Sequence, residues 1–257
     1  MTGGVLALFA HPDDESLLAG GTLAGCAAAG LRVAIVSMTR GERGPAATTA
    51  AGDRAALAEV REAELAAAAE ELGAASAECL AYPDGELHDA DEEQAVAALA
   101  ALLERHQPQA VIGFSPEGLY WHPDHEAASH LLTAAIELRG GEPPSLWSYG
   151  ATWPEGHAER LVSLMSARGL PADLWGIEAA AFGPPAGDIV TTIDVRRFLP
   201  AKLAALRRHR SQLAPHHLLA SLPADLAEEF LGREFFVRLA PPGPPGDLLA
   251  DVLDGGA

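Results

Sequence analysis

The chain has 257 residues, 49 % hydrophobic and 21 % charged, the balance of a globular protein with a sizeable core rather than a disordered one. Its 36 acidic against 17 basic side chains leave a net charge of −19, which repels phosphate backbones and anionic lipid and argues against nucleic-acid or membrane partners. No run reaches ~20 uninterrupted apolar residues, the start lacks the basic region of a secretory signal, and Cys26 and Cys79 stand apart in apolar surroundings, so a cytoplasmic chain with reduced thiols is expected.

In chain order, "GVLALFA" (4–10) reads as a buried strand and "ESLLAGGTLAGCAAAG" (15–30) as a helix closed by glycine. "LRVAIVSMT" (31–39) is a second strand, rich in β-branched residues. Residues 52–73 give the clearest helix, capped by Asp53, filled with Ala, Glu and Leu, and ended by Gly73. A short strand follows at 77–83, then a helix at 91–106 with acids in its first turn, then a strand at 109–114. This alternation predicts an α/β fold: a Rossmann-like three-layer sandwich with a mostly parallel sheet and right-handed crossovers. Beyond residue 140 the pattern loosens, with strands expected at 145–153 and 188–195 and a basic helix at 198–213. The Pro/Gly-rich tail from 240 reads as an exposed arm or a packing strap. No repeat or long linker divides the chain, so residues 1–257 are expected to form one domain, with a core in 1–140 and a part in 141–257 that completes its pocket.

Two words stand out. "HPDDE" (11–15) follows the first strand, and "WHPDH" (121–125) follows the strand at 109–114. Sites in such folds lie beyond the carboxyl ends of the strands, so both words fall where a site is expected. The first strand has no glycine-rich phosphate loop after it, which disfavours a dinucleotide. Proline suits the first helical position, so Pro12 and Pro123 would set the next Asp in a first turn, letting His11 converge with Asp14 and His122 with His125. One such word could be a helix cap with a first-turn charge; two on neighbouring strand ends point to a shared site. Imidazole and carboxylate are the ligands of a catalytic zinc, which keeps one position open for water. Two consecutive acids cannot easily both bind one ion, which leaves one of Asp13 and Asp14 free as a base. No G-x-S-x-G elbow supports a serine hydrolase.

"AHPDDE", "TRGERG" (39–44), "YPDGEL" (82–87) and "YWHPDH" (120–125) together resemble the LmbE-like, or PIG-L, superfamily of zinc-dependent N-deacetylases over roughly residues 4–130, with weaker echoes in "KLAALRRHRSQ" and "GREFF". The resemblance implies hydrolysis of an N-acetyl group on an N-acetylglucosamine-type sugar or its conjugate. It makes His11, Asp14 and His125 the ligands of Zn2+, with Fe2+, Co2+ or Mn2+ as alternatives. It makes Asp13 the general base, His122 the second catalytic group and Tyr120 a contact to the reacting carbonyl, and gives Arg43 and Asp84 to the substrate. Asp124 is open between orienting a ring nitrogen of His122 and capping the helix; Glu15 is open between helix-start charge and support of the site. Trp121 departs from the glycine of several relatives. His209 is expected to close the pocket or meet a partner subunit, His130 to face elsewhere, and a second metal site at His209, His216 and His217 is disfavoured. The rival readings are an amidase of a larger thiol-sugar conjugate or glycopeptide, and a non-catalytic sugar-binding protein with a structural metal. The partner expected is a small amino sugar, with a homo-oligomer left open.

Overall fold

In the computed structural model, residues 4–45, 53–139, 146–184, 188–214, 217–239 and 246–254 are described. Seven strands form one sheet in the order β3-β2-β1-β4-β5-β7-β6. These are β1 (Gly4–Phe9), β2 (Arg32–Thr39), β3 (Ser76–Tyr82), β4 (Ala110–Phe114), β5 (Trp147–Thr152), β6 (Thr191–Asp194) and β7 (Arg233–Arg238). The first five pair in parallel, and β7 is antiparallel to both β5 and β6. The continuous apolar runs of β1, β2 and β4 fit strands covered on both faces, and their side chains are almost wholly buried.

Helices α3 (Arg54–Glu71) and α4 (Glu92–His106) carry the caps their sequences announce: Asp53 accepts from the Ala56 amide and Asp91 from the Gln94 amide. The helix expected over 15–30 is broken into α1 (Asp14–Leu18) and α2 (Gly20–Ala28) at Ala19, whose φ is −135°. The second helix packs closely just after the break: a Cβ on Gly21 would lie 2.5 Å from Val195 Cβ, so that position takes glycine. The new helix start is satisfied from the far end of the chain, where the Glu234 carboxylate accepts both the Gly21 and Thr22 amides at 2.8 Å. Glu234 in turn meets Lys202 Nζ at 2.6 Å, each side chain only 1 % exposed.

The remaining helices are α5 (Gly118–Trp121), a kinked turn, α6 (Pro123–Arg139), α7 (His157–Ala167), α8 (Leu199–Leu206), α9 (Ala224–Leu231) and α10 (Leu248–Asp254). The basic helix expected to run to 213 ends at Leu206. The tail, whose residues 240–245 and 255–257 lie outside those described, acts as a strap rather than an exposed arm: Leu249 is fully buried and Tyr149 Oη donates to Asp247 at 2.9 Å. No helix among the described residues is long and apolar enough to cross a membrane.

Candidate metal centre and its cavity

The sheet order reverses around β1, which is flanked by β2 on one side and β4 on the other. Both His-Pro-Asp words leave from this switch point, HPDDE after β1 and WHPDH after β4. In the second word Pro123 opens α6 as its fixed φ suggests. The first word differs from expectation: α1 begins only at Asp14, and Asp13 sits before it at φ 128°, ψ −26°. A non-glycine residue in that region costs of order 1–3 kcal/mol and persists only where its surroundings impose it.

Three side chains converge. His11 Nδ1 lies 3.2 Å from His125 Nε2 and 3.5 Å from Asp14 Oδ2, and His125 Nε2 lies 3.7 Å from Asp14 Oδ1. Ligands held ~2.0–2.1 Å from a tetrahedral zinc are separated by about 3.3 Å, so the donor set has the spacing of a divalent-cation site. The other ring nitrogens are tied down as such ligands require. His125 Nδ1 donates to the Gly118 carbonyl at 3.0 Å, and His11 Nε2 meets Asp84 Oδ1 at 3.1 Å and Asp124 Oδ2 at 3.2 Å. Gly118, at φ +58°, has to be glycine, since a Cβ there would lie 2.8 Å from His125 Cβ. Phe114, the last residue of β4, stacks on the His125 ring at 3.9 Å between centroids.

Asp124 therefore takes neither role expected of it. Its carboxylate faces His11 and accepts the Gly85 and Leu87 amides, at 2.7 and 3.1 Å, because α6 turns its first-turn acid toward the 82–87 loop. The His122 ring is fixed by backbone instead: its Nδ1 accepts the Asp124 amide at 3.2 Å. His122 stacks on His125 at 4.5 Å and belongs with His11 and His125 to a three-imidazole cluster. Tyr120 packs edge-on against both His122 and His125. It is aimed by two neighbours in the left-handed region, Leu119 at φ 68° and Trp121 at φ 63°, and Trp121 itself projects outward.

The electrostatics separate the two adjacent acids. Burial would push the Asp14 carboxyl up, but facing His125 and His11 hold it down at about 2, the state of a ligand. Burial pushes the Asp13 carboxyl up to about 6; the Arg61 guanidinium opposes this and the neighbouring Asp14 charge adds to it. A carboxylate poised there suits proton transfer near neutrality. Burial, then the His11 charge, lowers the His122 ring, and burial raises the Tyr120 phenol, which stays protonated.

Arg61 was not singled out by sequence reasoning. Only 3 % exposed, it donates to the carbonyls of Pro12 (2.6 Å) and Gly41 (2.8 Å) and pairs with Asp13 Oδ2 at 3.2 Å. A signal was present: Arg61 shares the spacing of Leu57, Leu65 and Ala68, the buried stripe of α3. Arg43 and Asp84 both border the cavity, but each is engaged. Arg43 pairs with Glu86, and the Asp84 carboxylate holds His11 and the Arg43 amide. His130 pairs with Glu92 on the surface, away from the site.

Among the described residues the site opens into a cavity of about 870 Å³, near the upper end of small-ligand pockets. Its lining includes His11, Asp13, Asp14 and His122. The second half of the chain supplies a further wall, which includes Trp175, His209, Gln212 and Leu219. His209 thus borders the pocket, while of the histidine pair His216 lies outside the described residues and His217 packs against Trp175.

The family model of GlcNAc-PI de-N-acetylase, PIG-L, matches residues 6–136. The chain is 35 % identical to the 1D-myo-inositol 2-acetamido-2-deoxy-alpha-D-glucopyranoside deacetylase of Nocardia farcinica, an alignment covering 100 % of this chain and 98 % of that protein. The structure resembles N,N'-diacetylchitobiose deacetylase from Pyrococcus horikoshii, with TM-score 0.57, 22 % identity and 91 % and 82 % of the two chains covered. It also resembles the 4-carboxy-2-hydroxymuconate hydratase GalB of Pseudomonas putida KT2440, with TM-score 0.65, 23 % identity and 96 % and 100 % covered. At such identities these likenesses concern the fold alone, which hosts more than one chemistry.

Proposed function

The chain belongs to the PIG-L family, and on that premise we propose that it hydrolyses the N-acetyl amide of an N-acetylglucosamine conjugate at a zinc ion held by His11, Asp14 and His125. The enzyme class, a deacetylase of N-acetylated amino sugars, follows from the relatives. The observation that carries the residue assignment is the division of labour at HPDDE: Asp14 lies within 3.7 Å of His125 and 3.5 Å of His11, while Asp13 is paired with Arg61 and left off the donor set. A purely structural metal has no use for a spare carboxylate beside it, which disfavours the non-catalytic reading.

The donor set fits a small divalent cation, since two imidazoles and a carboxylate meet at tetrahedral spacing with their outer ring nitrogens anchored. When bound, zinc supplies Lewis acidity toward the amide carbonyl and makes water acidic enough to yield hydroxide near pH 7, at a pKa of about 7. Asp13 accepts the proton of the attacking water on its carboxylate, and Arg61 keeps that carboxylate aimed and its negative charge partly neutralised. Tyr120 donates its phenolic hydrogen to the developing negative charge on the acetyl oxygen. Because His122 Nδ1 accepts a backbone amide, the neutral ring carries its hydrogen on Nε2 and offers it as a hydrogen bond to the developing negative charge on the acetyl oxygen, while the proton that Asp13 took from the water passes to the leaving amine. Arg43, on the cavity rim, meets the sugar hydroxyls.

The test is acetate release from a panel of N-acetylglucosamine conjugates, including the inositol glycoside and N,N'-diacetylchitobiose, with and without chelator. Release that stops on chelation and returns with zinc is expected. Turnover that survives full metal removal, or none on any N-acetyl sugar with metal bound, overturns the reading.

A further inference from the structure

Glu15 and His209 stand 194 positions apart and meet in the core. Glu15 Oε1 accepts from His209 Nε2 at 3.0 Å and from the Ser16 hydroxyl, and both Glu15 and His209 are 1 % exposed. Bringing two ionisable groups out of water costs several kcal/mol per ion before their contact offsets it. A charge at the start of the five-residue helix α1 does not require that expense, since capping contributes only about 0.5–2 kcal/mol.

The second oxygen of Glu15 shows what the pair holds. Glu15 Oε2 accepts the amide of Asp13 at 3.0 Å. The carbonyl of the same peptide unit, that of Pro12, accepts from Arg61 at 2.6 Å. The Pro12–Asp13 peptide is therefore gripped at both ends, its C=O by a buried guanidinium and its N–H by a buried carboxylate. It is also the peptide that leads into the left-handed φ of Asp13, 128°. A strained conformation of this kind relaxes by rotating the peptide, and rotation would break both bonds at once. His209 comes from the turn after α8, where the helix stops at Leu206, and its ring borders the catalytic cavity without a hydrogen bond to any of the three converging donors. Its Nδ1 has no hydrogen-bond partner among the described residues.

We propose that Glu15, held by His209 and Ser16, is a positioning residue that locks the Pro12–Asp13 peptide in the orientation aiming the Asp13 carboxylate at its water. His209 touches no reacting atom; it acts through Glu15. The proposal extends the reading of Asp13 as general base and rests on it.

The decisive variants are His209→Leu, which removes the donor to Glu15, and His209→Gln, which keeps an N–H there. In His209→Leu, kcat for deacetylation falls about 10- to 100-fold while KM and bound zinc per chain stay at wild-type values. His209→Gln recovers to within about 3-fold of wild type, the residual loss reflecting imperfect geometry. A crystal structure of His209→Leu shows Asp13 returned to negative φ. The proposal is overturned if His209→Leu loses zinc in step with activity, raises KM at unchanged kcat, or leaves Asp13 at positive φ, and equally if His209→Gln is as impaired as His209→Leu. Should His209→Leu fail to fold, Ser16→Ala removes one hydrogen bond from the same carboxylate; an unchanged kcat there overturns the proposal, and a fall of about 3-fold at constant KM supports it. If Asp13→Ala retains turnover, the base assignment fails by itself, while the φ of Asp13 in His209→Leu still reports whether the pair fixes the peptide.

Discussion

Arg61 Nη2 lies 3.2 Å from Asp13 Oδ2 and 2.6 Å from the Pro12 carbonyl, so one buried guanidinium in α3 steadies both the side chain and the backbone of the proposed base. Arg61→Lys cannot span Pro12, Gly41 and Asp13 together, because an ammonium lacks the planar fork. We expect a stability loss of about 3 kcal/mol in urea denaturation and a fall in kcat of about 10-fold or more, with bound metal unchanged.

Asp13→Asn keeps the shape of the residue and removes its basicity. With Asp14 still among the converging donors, metal stoichiometry by elemental analysis stays at the wild-type value while kcat drops by about 10²–10⁴. Metal lost together with activity would instead make Asp13 a ligand.

Asp124 is 0 % exposed, faces His11 Nε2 and accepts two loop amides. Asp124→Asn removes the charge behind a proposed ligand imidazole and is expected to weaken zinc affinity by about 10- to 100-fold in a chelator competition. Unchanged affinity would limit Asp124 to holding the 82–87 loop.

Lys202→Met leaves the Glu234 carboxylate in the core with backbone amides but no countercharge. Loss of about 3–5 kcal/mol is expected in urea denaturation. A loss under about 1 kcal/mol would show that the two amides alone stabilise that charge.

His157 gives a pH dependence remote from the metal centre. Burial lowers its ring to about 4, against 6.5 for the ordinary side chain, and its Nε2 donates to the Phe230 carbonyl at 3.0 Å. The native state thus binds fewer protons than the unfolded one between those values. The neutral ring is accommodated in full above pH 6.5, and stability falls as pH drops from 6.5 toward 4, by about 2–3 kcal/mol. His157→Gln does not titrate, so the stability gap between wild type and this variant should move by that amount from pH 7 to pH 4. A constant gap would contradict the buried neutral ring.

The parallel half of the fold was legible because its strands are uninterrupted apolar runs and its helices carry their own caps, as Asp53 and Asp91 show. The convergence of His11, Asp14 and His125 was legible too, since each word follows a strand beside the switch point. The second half was legible only in part: the strands expected at 145–153 and 188–195 stand as β5 and β6, and the helix expected from 198 as the shorter α8. Strand β7 was not read as a strand, "GREFF" standing only as an echo of the family, and its place between β5 and β6 depends on long-range pairing that no local pattern encodes. The helix start that follows the break at Ala19 is satisfied by Glu234, and after the early stop of α8 at Leu206 a turn places His209 beside Glu15, contacts that only distant residues supply. Asp124 was misread because its partners come from the 82–87 loop and from β1's end rather than from its own helix.

The Glu234 contact with the start of α2 has a consequence for biogenesis. The amides that donate to it, on Gly21 and Thr22, leave the ribosome before the carboxylate, which follows more than 200 positions later. The segment just after the HPDDE word therefore waits, incompletely satisfied, until more than 200 further residues are made. Closure of so wide a loop is a late event, so a nascent or prematurely terminated product carries every proposed metal ligand while still lacking the buried carboxylate that secures the helix behind them.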